Sequence, residues 1–407
     1  MRRFFTVSTL MSSLISGTII AAVATMVVVA NIRDARRSRT AYTRPEIIGT
    51  RGAKATRGDL ARRIADLQER LSRKPEDVGV AVMLADALIR QTRVTGNAGL
   101  AIEAEQTLER SLDGDSANYD ANRMLAAVYL SQHRFREAIA MAEKNGKARP
   151  YDSVNDGVIG DGHLELGEYT EAFDAFDRMM TRRPSAAAYA RVAYARELQG
   201  NLTGAVEAMK LAADATPADD PEALAWHQSQ LGDLYLRQGR TRQAEASYIA
   251  ASHAFPGHPF AVVGYSRVLA AHGELTSALG LLRELARTAP TPDLAARIGD
   301  VLQRLGRHEE AERQYAIAEA GWRTDAPEPK NLARFLADHD RKIDEAVAIA
   351  EKAAAERHDI FTEDALAWAY YKAGRTEDAR RAIAGALRTG TQDADILAHA
   401  KVMGAAQ

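Results

Sequence analysis

The sequence predicts an all-α solenoid of about eight to nine stacked helix pairs, preceded by one N-terminal transmembrane helix. Three observations predict it. A short turn followed by a closing alanine recurs along most of the chain at a spacing near 34 residues. The 407 residues are 46% hydrophobic, 27% charged and only 6% aromatic, the balance of an ordered, helix-rich chain. No charged residue occurs from Phe4 to Ala30. The absence of cysteine excludes disulfides, thiolate metal sites, a cysteine nucleophile and a lipidated N-terminal cysteine.

The N-terminal run comes first in the chain. It is 27 residues long, and at 1.5 Å per residue about 20 helical residues cross a bilayer core. Ala22-Val23-Ala24 offers a signal peptidase the small residues it needs. However, the run exceeds the roughly 7–15 apolar residues of a signal peptide, and Arg33, Arg36, Arg37 and Arg39 follow it at once. Residues 1–31 are therefore read as an uncleaved transmembrane signal-anchor, with cleavage as the alternative. Residues 32–58 form a basic linker without apolar periodicity, containing Pro45, Gly49 and Gly52. Residues 1–57 carry a net charge of +8 and residues 58–407 a net of −10. Basic residues behind the span favour a cytoplasmic body at the inner membrane; a periplasmic body is the alternative. Thr9, Ser13, Gly17 and Ala21 make a small-residue stripe through which the span could self-associate weakly.

Residues 59–407 carry the repeat. Its closing alanines stand at 138, 172, 205, 244, 278, 311, 346 and 379, with Ala104 a degenerate earlier member. Glycines at 167, 200, 239, 273, 306 and 374 precede most of them and predict the left-handed residue that ends a first helix. Pro150, Pro184, Pro217, Pro256 and Pro290 predict the end of the second. The fullest unit runs from Ala225 to His258, with Leu231, Gly232, Tyr235, Gly239, Ala244, Tyr248, Ala251 and Pro256. With this signature and this period the chain resembles the tetratricopeptide repeat family, bacterial membrane-anchored type, although Gln228 occupies the usual tryptophan position. The resemblance covers roughly residues 59–403. It implies stacked antiparallel helix pairs that cannot bury their apolar faces alone.

Four departures stand out. Five extra residues fall near 216–223, where Asp220 and Pro221 predict a capped helix start. Residues 92–99 predict a widened turn in the first unit. Residues 331–340 lack the first-helix signature. Segments 59–74 and 394–403 predict terminal capping helices.

No catalytic or cofactor motif appears. The ten histidines show no metal spacing, Asp113-Gly114-Asp115 lacks the remainder of a calcium loop, and no phosphate-binding loop or nucleophile elbow is present. Neither an enzyme nor a cofactor is expected, and a net charge of −2 gives no pull toward nucleic acid. Some members of the family grip a terminal carboxylate with Lys and Asn side chains. The corresponding positions here are Arg123, Ala127, Gly157, Asp161 and Arg191, without the asparagines, so that activity is not carried over.

The resemblance implies a concave wall lined by first helices. In this register the partner-binding candidates are Arg123, Asp161, Tyr194, Trp226, Asp233, Arg267, Asp300, Trp368 and Tyr371. The expected role is a membrane-anchored scaffold that binds a protein or peptide client, with no small-molecule substrate. The alternative is an exported periplasmic assembly factor of envelope or cytochrome biogenesis. A third layout, that of the anchored repeat protein of lipopolysaccharide regulation, ends in a four-cysteine metal domain that this chain lacks.

Overall fold

The computed structural model describes residues 56–324 and 328–405, all within the compact unit Ile47–Gln407. The Phe4–Ala30 run and its arginine flank lie outside the described residues. Among the described residues no helix is long and apolar enough to cross a membrane.

The described residues form twenty helices and no strand. Helix α1 (Arg57–Arg73) opens the body. Pairs follow: α2 (Val78–Thr95) with α3 (Gly99–Leu112), α4 (Tyr119–Ser131) with α5 (Phe135–Ala148), and α6 (Ser153–Leu166) with α7 (Tyr169–Arg182). Then come α8 (Ala186–Leu198) with α9 (Leu202–Asp214), α10 (Pro221–Arg237) with α11 (Thr241–Ala254), and α12 (Pro259–Ala271) with α13 (Leu275–Ala286). The last pairs are α14 (Pro292–Arg304) with α15 (His308–Thr324), α16 (Pro329–Asp338) with α17 (Ile343–Glu356), and α18 (Ile360–Lys372) with α19 (Thr376–Leu387). Helix α20 (Ala394–Val402) closes the stack.

Local chemistry explains the boundaries. Thr56 and Asp59 form a reciprocal capping box, which starts α1 at Arg57. Asp220 caps α10 with Pro221 in its first turn, so the extra residues near 216–223 resolve into a capped start. The six turn glycines all adopt positive φ. Where the comb lacks glycine, His133 (φ 60°) and Asp340 (φ 52°) take the left-handed residue instead, at about 1 kcal/mol each. Residues 92–99 do not simply widen a turn. Half of the insertion, residues 92–95, extends α2 to Thr95, where Arg93 finds a carboxylate partner in Glu222 and Val94 is fully buried; the other half holds the turn.

The alanine comb is the packing axis. All eight closing alanines are 0% exposed. Paired helices also interlock through a glycine and a ring: a Cβ on Gly160, Gly232 or Gly299 would overlap Phe176, Tyr248 or Tyr315 respectively, at under 3.0 Å. First helices of successive pairs pack on one another (α2 on α4, α4 on α6, α10 on α12, α16 on α18), whereas no such close packing joins successive second helices among the described residues. The stack therefore curves with its first helices inside.

That curvature brings the coil back onto itself. The turn after α2 packs Gly96 against Thr291. The turn after α4 brings His133 Nδ1 to 2.7 Å from Glu328. The turn after α6 accepts a backbone bond, His358 N to Leu166 O at 3.2 Å, and Tyr169 Oη accepts Ile360 N at 2.8 Å across 191 residues. The turn after α8 sets Gly200 against the Gly390 carbonyl. Each contact advances by one unit on both sides, so they form one continuous seam between successive turns of the coil. Its N-terminal end is held by Arg57 to the Gly257 carbonyl at 2.6 Å and by Val94 buried with Ala225, Ala251, Phe255 and Ala261.

The seam separates two kinds of turn glycine. Gly167 and Gly200 have no room for a Cβ because backbone from the next turn occupies it, whereas Gly239, Gly273, Gly306 and Gly374 have nothing within 4 Å. Gly239→Ala should cost only left-handed strain, about 1–2 kcal/mol. Gly167→Ala or Gly200→Ala should cost about 2 kcal/mol more, from overlap with the seam. Urea denaturation of the three variants measures the difference, and equal losses at all three positions would refute the seam.

Candidate functional site

The inner wall is built from first helices. Asp161, Tyr194, Asp233, Arg267, Asp300 and Trp368 share one register position, each eleven residues before a comb alanine. Trp226, Phe260 and Phe361 share another, eighteen before. Of the eight comb units, four carry a charge at the first position and three an aromatic ring at the second, where the others have Asp120, Val154, Ala187, Asp293 and Glu328.

Neighbouring units neutralise most of the charges at the first position. Asp161 holds Arg191 through two bonds at 2.9 and 2.6 Å. Asp233 accepts from Arg267 at 2.8 Å and from the Tyr248 hydroxyl at 2.6 Å. Burial and then the Asp233 charge push the Tyr248 hydroxyl up, which keeps it a donor. Asp300 accepts from Tyr315 at 3.0 Å, with His339 Nε2 at 3.5 Å. Arg123 lies 3.1 Å from Asp152. Glu197 lies 2.9 Å from Arg237, which also reaches Asp393, the N-cap of α20, across the seam. Burial pushes the Glu197 carboxyl up to about 6 against the pull of Arg237.

The aromatic candidates are half-buried. Trp368 stacks on Tyr371 at 5.3 Å and 8° and on His399 at 4.1 Å and 11°, with Lys372 Nζ 5.1 Å from its ring centre. Trp226 meets His227 edge-on at 5.2 Å. Asp233 with Arg267, and Trp368 with Tyr371, are the candidate pairs brought into contact. Arg123, Asp161, Tyr194, Trp226 and Asp300 stand apart from other candidates along the wall. The clamp positions Arg123 and Arg191 are each tied to an aspartate, so neither is a free cation for a carboxylate ligand.

Sequence reasoning did not find two hollows. One, of about 650 Å³, lies between α5, α6 and α7, where the buried Asp156 receives Arg178 at 3.3 Å and also Arg182. The other, of about 270 Å³, lies on the inner side of the seam between α6–α8 and α16–α18. Its walls come from residues about 190 apart, which no local motif signals. Among the described residues no three His, Asp or Glu side chains converge as metal ligands.

An array of helix pairs with a first-helix inner wall defines a class of repeat protein. Residues 158–220 and 229–292 match the tetratricopeptide repeat model, and with the structural likenesses below this match supports the tetratricopeptide repeat family. A chain of the APC/C hetero-tetramer Cut9-Hcn1 is similar at 14% identity and TM-score 0.50, over 85% of this chain and 59% of that one. Human IFIT1, in its dimer with m7Gppp-AAAA, is similar at 14% identity and TM-score 0.53, over 82% of this chain and 79% of that one. These likenesses show the helical-repeat fold alone. No curated protein matches the chain.

Two buried histidines give the body a pH dependence. His227 accepts or donates a 2.9 Å bond at Thr216 Oγ1, and burial, with Arg93 adding, lowers it to about 4. His258 is 0% exposed and is lowered by burial against the pull of Glu222, whose carboxylate lies 3.5 Å away. Both stay neutral when folded and bind protons near pH 6.5 when unfolded. Their stabilisation is complete above pH 6.5 and is lost as pH falls. For His227 the loss amounts to about 3 kcal/mol between pH 6.5 and 4. Denaturant titrations across this range should show a steeper loss for the parent chain than for His227→Gln; parallel profiles would contradict the assignment.

Proposed function

We propose that this protein is a membrane-anchored scaffold that binds a peptide or protein partner along the inner wall of its repeat coil. One observation carries the reading: first helices alone form the inside, and they present the half-open aromatics Trp226, Phe361 and Trp368 and the 41% exposed Phe260, spaced along the wall between neutralised Asp and Arg pairs. Aromatic anchors within a ring of satisfied polar groups are what an extended ligand needs for affinity without a large ordering cost. The net charge of −10 on residues 58–407 opposes a phosphate backbone, so a nucleic-acid ligand of the kind named with human IFIT1 is not proposed here. The uncharged run Phe4–Ala30 supports the anchor, and the arginines behind it support a cytoplasmic body. Anchoring raises the partner's effective concentration at the membrane.

A C-terminal reporter active in only one compartment, with a blot for N-terminal processing, tests topology. Cytoplasmic signal from an unshortened, membrane-bound chain is expected. A periplasmic signal or a shortened chain favours the exported assembly-factor reading. A photo-crosslinking residue at Trp226 or Trp368 should yield a discrete adduct that the second-helix positions Ile102 and Ile317 do not. Equal labelling at all four would overturn inner-wall binding.

A further inference from the structure

The 270 Å³ cavity inside the seam is lined by three carboxylates, Glu165, Glu328 and Asp359, that differ in how they are paired. Glu328 is saturated: Arg357 reaches it twice, at 2.8 and 2.7 Å, and Lys330 at 3.1 Å. Asp359 is equally engaged, by Lys330 at 3.2 Å and by the backbone N–H groups of Phe361 and Thr362 at 3.1 Å. Glu165 is different. Its nearest cation is Arg357 at 3.9 Å, already committed to Glu328, and 38% of the Glu165 side chain stays open to the cavity. Burial raises its carboxyl, and the charges of Asp359 and Glu328 act in the same sense against Lys330 and Arg357. Glu328 and Asp359 thus take up Arg357, Lys330 and the His133 imidazole, which lies 2.7 Å from Glu328, and leave Glu165 the carboxylate of this wall with the weakest cation contact. The remaining wall includes the Tyr194 and Phe361 rings.

We propose that this cavity receives the ammonium or guanidinium group of a lysine or arginine side chain presented by a protein partner, with the Glu165 carboxylate as counter-ion and the Tyr194 ring as one wall. The inference rests on the scaffold reading and names a specificity pocket within it. The volume fits one long side chain and falls below the roughly 300–1,000 Å³ typical of small-molecule sites. The Glu165 carboxylate rejects a carboxylate or phosphate and selects a cation, and aromatic faces add to cation affinity once water is excluded. Because α6 and α8 supply one side and α16 and α18 the other, the pocket exists only while the coil is closed.

Calorimetry on the full chain tests this with four probes: the capped pentapeptide Ala-Ala-Lys-Ala-Ala, its norleucine and glutamate counterparts, and 1,4-diaminobutane. The lysine peptide should bind at least tenfold more tightly than the other two peptides. Glu165→Gln should remove that preference and leave norleucine binding unchanged. Asn331→Asp, which adds a carboxylate to the same wall, should strengthen lysine binding several-fold, a gain that misfolding cannot produce. Equal affinity for lysine and norleucine, or indifference to Glu165→Gln, would overturn the proposal. Diaminobutane binding as tightly as the peptide, with the same Glu165 dependence, would overturn the partner side chain in favour of a free amine. Persistent crosslinking at Trp226 and Trp368 without lysine selectivity would remove the pocket and leave the scaffold reading intact.

Discussion

The hydrogen bond from His358 N–H to the Leu166 carbonyl joins two turns of a coil, and the rest of the fold is arranged so that it can form. A repeat array ordinarily touches only its neighbours, so small errors in the angle between units accumulate without penalty. Here each unit's rotation must be right, or Gly96, His133, Leu166 and Gly200 miss their partners on the next turn. The fully buried alanines hold the spacing within each pair, and the glycine-and-ring interlocks hold it again at Gly160, Gly232 and Gly299. The seam integrates these local tolerances.

Electrostatics at the seam serves register more than stability. Arg90 and Arg93 meet Asp220 and Glu222 at 2.6 and 3.1 Å in a partly buried cluster, and desolvation offsets much of the attraction in such a site. What it supplies is selectivity: a turn shifted by one unit would leave these charges buried without partners. The neutralised charges on the inner wall follow similar logic. Paired Asp and Arg leave little free charge along most of the wall, so Glu165, with only a 3.9 Å contact to an Arg357 already bound to Glu328, stands out.

Much of this was legible in the sequence because repetition makes local chemistry visible many times over. The closing alanines gave the pairing, the glycines the turns, and Asp220 with Pro221 the start of α10. The reading of residues 92–99 as a widened turn left out the extension of α2 over 92–95, because the partner of Arg93 there is Glu222, more than a hundred residues away. The inner-wall candidates could be placed by register. That Asp161 and Arg191, or Asp233 and Arg267, satisfy each other depends on distances between units that period alone does not contain. The pocket at Glu165 was invisible for a stronger reason: its two sides are separated by more than five repeats, and only the closure of the coil brings them together.

Closure also limits how such a chain can change over generations. Open arrays gain and lose repeats readily, since a duplicated unit merely lengthens the stack. In this chain an extra unit between α9 and α16 would push every downstream loop one step out of phase. Gly167 would then face the loop that His133 now faces, and each buried ion pair would meet the wrong neighbour. Within that stretch the number of repeats is as constrained as a residue in a close-packed core, and variation in length is confined to the ends of the stack or to loops facing away from the seam.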